Sequence, residues 1–128
     1  MKLLLDTHVL LWAAYEPERL SDKAQRLLSD PSSSLHFSVA SLWEVAIKSA
    51  LGRSDFQVDV AELRAGLVAN DYSEVAIESS HVLRLPTLPP IHADPFDRIL
   101  VAQAMAKGFA LLSNDAKLKA YGGPVWDV

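Results

Sequence analysis

Four acids in this sequence are the residues best suited to chemistry: Asp6, Glu44, Asp97 and Asp115. Carboxylates brought together repel one another unless they are protonated or bind a cation. Hard oxygen ligands suit Mg²⁺, and Mn²⁺ as well. A metal pair about 3.5–4 Å apart can activate water and stabilise a leaving oxygen, which is what phosphodiester hydrolysis requires. Metal-assisted hydrolysis is therefore the chemistry on offer, provided that the fold brings the four together.

Each acid also has a purely structural reading. Asp6 ends a short apolar run and could equally be the N-cap of the next helix, as could Thr7. Glu44 completes a capping-box pattern with Ser41 and sits four residues before Lys48, a stabilising helical spacing. It falls on the border between the polar and apolar faces. Asp115 could cap a helix over residues 116–121, a role open also to Asn114 or Ser113. Asp97 is different. Asp94 reads as N-cap, Pro95 as N1 and Asp97 as N3, where an acid suits the helix dipole. Yet Asp97 lines up with Leu100, Val101 and Ala104, in the middle of the apolar stripe. A carboxylate aimed at the packed side needs a partner, and a metal ion would be one.

The elements that must position these acids alternate. Residues 2–6 form a continuous apolar run, as expected of a strand buried on both faces. Further strands are expected at 35–38, 74–77, 109–113 and 125–128. Helices are expected at 9–15, 21–28, 39–51, 60–70, 79–85, 94–107 and from Asp115, with Gly52 and Gly108 as stops. Loops fall at 30–34 and at 85–95, the latter with four prolines. This alternation predicts an α/β fold, a three-layer α/β/α sandwich on a central parallel sheet of four to five strands, forming a single domain over 1–128. In such sheets the site lies at the carboxyl ends of the strands. Asp6 and Asp115 end strands, and Glu44 and Asp97 lie in early helical turns, so all four fall on that edge.

Composition narrows the field. Half of the 128 residues are hydrophobic, 22% are charged, and the net charge is −4. That fits a soluble globular chain and argues against a binder that holds nucleic acid by a basic patch alone. It leaves room for an enzyme reaching phosphate through cations. There is no cysteine, which excludes disulfides, thiolate sites and a cysteine nucleophile and is compatible with the cytoplasm. Asp6 and His8 interrupt the only leader-like run, and no segment has the ~18 apolar residues of a membrane helix. His8, two residues beyond Asp6, could face the site but reads rather as a partly buried structural histidine. His36, His81 and His92 have no HExxH-type spacing, and Trp12, Trp43 and Trp126 read as core or interface. No P-loop, GxGxxG or GxSxG pattern occurs.

LLLDTHVLLWA, SVASLWEVAIKSALG, HADPFDRILVAQAMAKG and LLSNDAKLKAYG, in this order, resemble the PIN-domain nucleases, and more narrowly the VapC-type toxins of type II toxin–antitoxin modules. The DPFDRILVAQA block with SLWEVAIK upstream is the most specific part. The resemblance implies a PIN-like fold, Mg²⁺-dependent endoribonuclease activity on an RNA substrate, inhibition by a cognate antitoxin, and a homodimer. It places the family's four acids on Asp6, Glu44, Asp97 and Asp115, with Asp6 and Asp97 on the principal metal. Glu44 and Asp115 would complete the site through water, a second metal or the attacking water. Asp94 stands beside Asp97 and can help or substitute. Ser113 takes a place where the family often has Thr. It and Thr7 would hydrogen-bond the carboxylates or a phosphate, and Lys48 and Arg98 would hold the RNA backbone.

Two other phosphate-handling folds fit less well. A receiver-type domain wants an acidic pair after its first strand, and Asp6 has no acidic neighbour. A HAD-type phosphatase wants an Asp two residues after Asp6, where His8 stands. The remaining alternative is a PIN-like module that binds RNA or protein without cutting.

Overall fold

Leu3, Leu4 and Leu5 have no polar residue between them, and all three are fully buried. They belong to β1 (Lys2–Leu5), the central strand of the structure, a computed structural model that describes residues 1–128. Leu4 packs into one apolar cluster, while Leu3 and Leu5 pack into another. Successive strand residues point to opposite faces, so a strand that buries every residue must be covered on both sides.

The sheet has five strands in the order β3-β2-β1-β4-β5, with β2 at Ser34–Ser38, β3 at Ser73–Val75, β4 at Ala110–Ser113 and β5 at Val125–Asp127. All pairings are parallel, with Leu4 opposite His36 on one side and Leu111 on the other. One face is covered chiefly by α6 (Pro95–Lys107), through Leu100, Val101 and Ala104. The other carries Val9 and Leu10 of α1 (Thr7–Tyr15), Ala24 of α2 (Asp22–Ser29), Val45 of α3 (Val39–Ala50), and Leu63 and Leu67 of α4 (Val60–Ala69). Two short helices, α5 (Ser79–Arg84) and α7 (Ala116–Lys119), complete the layers. This is the three-layer parallel α/β sandwich expected. No helix is long and apolar enough to cross a membrane.

The departures from expectation are local and have causes. β1 stops at Leu5 because the Asp6 side chain accepts the Val9 N–H at 2.8 Å, which starts α1 at Thr7 and not at Val9. Ser38, not Ser41, caps α3, by accepting the Ala40 N–H at 3.0 Å. The capping box suggested by Ser41 and Glu44 therefore does not form. β3 ends at Val75, two residues short of the apolar run. Gly108 follows α6 at φ 71°, a left-handed conformation that glycine adopts without strain.

Candidate active site

The chain runs outward from β1 to β2 and β3, then returns to β4 on the opposite side of β1. That reversal falls between β1 and β4, and the region beyond their carboxyl ends is the usual binding place in open α/β sheets. Asp6 follows β1, and Ser113 is the last residue of β4. The Asp6 backbone N–H donates to the Leu112 carbonyl at 3.1 Å, which ties the two strand ends together. Burial pushes the Asp6 carboxyl up, the Ser113 hydroxyl and the Val9 amide oppose this, and the Asp115 charge adds to the rise. Asp6 is thus both helix cap and buried acid.

Glu44 comes from the second turn of α3 and is buried, which resolves its border position on the helix in favour of the inside. Its Oε2 lies 2.8 Å from Lys48 Nζ, while its buried Oε1 has no hydrogen-bond partner. Asp97 projects from the first turn of α6. Asp94 caps that helix, its Oδ1 accepting from Phe96 N at 2.8 Å and from Asp97 N at 3.4 Å. The Asp97 carboxyl is pushed up to about 7, first by burial and then by the charges of Asp94, Glu44 and Asp6, against a lowering by His92. Asp6, Glu44 and Asp97 therefore share one electrostatic field, and Asp115 joins it through Asp6. Asp115 also caps α7, accepting the Lys117 N–H at 2.8 Å.

His92 belongs to this site, although its sequence spacing suggested no role. Its Nε2 lies 2.9 Å from Asp97 Oδ2 and 3.6 Å from Asp115 Oδ2, with the ring largely buried. These three atoms lie within 4.8 Å of one another. The one sequence signal was adjacency, two residues before the cap of α6. The expected helpers divide. The Ser113 hydroxyl accepts the Asp115 N–H at 3.0 Å and acts on Asp6. The Thr7 hydroxyl bonds Ser41 at 3.0 Å, linking α1 to α3, and not a carboxylate. Arg98, expected on the RNA backbone, instead donates to the carbonyls of Leu85 (2.9 Å) and Pro89 (3.1 Å) and to the Tyr121 hydroxyl (3.1 Å). It is a structural clamp. His8, expected to be a partly buried structural histidine, is instead exposed beside Trp12, because α1 turns it outward, and its charge acts on Asp6. Trp43 is 58% exposed, edge-on to Phe96.

The donor set is dominated by carboxylate oxygens, the chemistry of a Mg²⁺ or Mn²⁺ site. A buried carboxylate oxygen of Glu44 without a partner, and an Asp97 carboxyl raised by burial and by neighbouring acids, are both features that a bound cation would satisfy. A parallel sheet of this order, with acids converging at its reversal, defines a class of α/β proteins that hold a divalent cation at the strand ends. The chain belongs to the PIN domain family, whose model matches residues 3–124. It is 29% identical over 123 residues to Ribonuclease VapC22 of Mycobacterium tuberculosis, covering 95% of this chain and 93% of that protein. Among solved structures it is similar to VapBC2 from Rickettsia felis bound to a fragment of its promoter DNA, with a TM-score of 0.70 at 13% identity over 99% and 98% of the two chains. It is similar too to a toxin–antitoxin complex from Klebsiella pneumoniae, with a TM-score of 0.64 at 17% identity over 98% and 99%.

Proposed function

We propose that this chain is an endoribonuclease of the VapC type, dependent on Mg²⁺ and acting as the toxin of a toxin–antitoxin pair. The observation that carries the reading is the convergence of Asp6, Glu44, Asp97 and Asp115 at the sheet reversal, with the Asp97 carboxyl pushed up to about 7 by burial and then by neighbouring acids. The ribonuclease named among its relatives supports RNA as substrate. When bound, the cation polarises a phosphoryl oxygen and makes water a competent nucleophile near neutral pH.

The chain's own residues supply the rest. Asp6 and Asp97 would hold the cation, Asp6 fixed by its cap bond to the Val9 N–H and Asp97 carried on the first turn of α6. Glu44 directs its unpartnered oxygen into the site while Lys48 holds the other. Asp115, beside Asp97 across His92, would orient water. The Ser113 hydroxyl counters part of the upward push that burial exerts on the Asp6 carboxyl. With a net charge of −4, the chain repels phosphate unless the acids are neutralised first.

Cleavage of total cellular RNA with Mg²⁺, with EDTA, and by Asp97→Asn tests this reading. Only the first is expected to cut. Equal cutting in all three would refute the metal, and no cutting of any RNA together with no metal binding would favour a binding module. The same reading includes an inhibiting antitoxin, supported by the solved complex of similar fold, and a homodimer. Co-expression with the protein encoded beside it should abolish cutting, and sedimentation should give twice the chain mass.

A further inference from the structure

His92 sits inside the acidic cluster, and its ring is fixed from two sides. Its backbone N–H donates to the Tyr121 hydroxyl at 3.2 Å, and that hydroxyl also takes a hydrogen bond from the Arg98 clamp. Its Nδ1 accepts the Asp94 backbone N–H at 3.2 Å. A ring nitrogen that accepts a hydrogen bond carries no proton, so the neutral ring bears its proton on Nε2. A protonated Nε2 has no lone pair for a metal. It faces Asp97 Oδ2 and Asp115 Oδ2 without being aligned on either as a hydrogen bond, which suits a donor shared between two carboxylates. Asp97 Oδ1 makes no hydrogen bond to the protein and remains open to a cation.

We propose that His92 is a positioning residue and not a metal ligand: its Nε2–H steadies Asp97 and Asp115 while Asp97 Oδ1 faces the cation. This rests on reading the acidic cluster as a metal site. Partners that orient metal-binding carboxylates from outside typically change metal affinity by about 10–100-fold when removed.

Three measurements test it. Long-range ¹H–¹⁵N correlation spectra of the metal-free chain should place the His92 proton on Nε2, and a proton on Nδ1 would overturn the proposal. Electron spin-echo spectra of the Mn²⁺-loaded wild type should contain no directly bound nitrogen. A bound imidazole nitrogen would overturn this proposal while leaving the metal site intact, whereas failure of the wild type to bind Mn²⁺ would overturn both. Finally, His92→Ala should weaken Mn²⁺ binding by about 10–100-fold, and His92→Gln, which restores an N–H donor, should recover most of it. Equal affinities in the two variants, at either level, would count against a donor role. The wild-type spectra need no variant, so a poorly folded alanine variant does not remove the test.

Discussion

Asp97 stands where a helix start favours an acid and a packed face resists one. Without a cation its carboxyl is pushed up to about 7 by burial and by the charges of Asp94, Glu44 and Asp6, from an ordinary value of 3.8. Between those values the folded chain keeps a proton that the unfolded chain has released. The resulting stabilisation is full below about pH 4 and is lost as the pH rises through about 7. Urea midpoints of the metal-free chain should therefore fall between about pH 5 and pH 8, and Asp97→Asn should flatten that slope. Asp94→Asn separates cap from charge. Asn caps as well as Asp, so α6 should stay intact and RNA cutting should survive far better than in Asp97→Asn; equal losses would move the ligand role to Asp94. Asp97 was readable from helical periodicity, which aligned it with Leu100 and Val101. Glu44 was not, because the Ser41 pattern offered a surface explanation that Ser38 displaced. His92 was hidden because a proline-rich loop has no period to read.

Arg98 shows how one element holds another. From the first turn of α6 it reaches back to the carbonyls of Leu85 and Pro89, and so fixes the proline-rich segment that carries His92. A charge-assisted hydrogen bond contributes roughly 1.5–3 kcal/mol. Arg98→Leu removes three, partly replaceable by water, so a loss of about 2–3 kcal/mol is expected in chemical denaturation. Cutting should fall as well, because His92 and Tyr121 lose their brace. The helices and strands were largely readable, since β1 is a pure apolar run and α6 has proline at its start and glycine at its end. Boundaries failed where a side chain captured a backbone group, as Asp6 does at α1. Arg98 was misread as an RNA contact because a lone charged residue gives no sign of which distant carbonyls it will meet.

For the whole molecule, the alternation of strands and helices implied a parallel sheet with two covered faces, and the placing of strand ends gathered the acids on one edge. The lateral strand order was not readable, because it depends on which apolar faces pair across long separations. If the cluster binds a cation, Mg²⁺ at a hundred times its dissociation constant should stabilise the fold by about 2.7 kcal/mol. Thermal unfolding near pH 8 should show that gain in the wild type and not in Asp97→Asn. The pairing of β1 with β4, Leu5 beside Leu112, has a further consequence. It joins the beginning of the chain to its last fifth, so Asp6 leaves the ribosome well before Asp97 and Asp115 exist. At about 5–20 residues per second, several seconds of synthesis pass in which the nascent chain has no assembled site. A transcript cut short before β4 would yield a fragment without cutting activity, and a partner translated alongside has that interval in which to arrive.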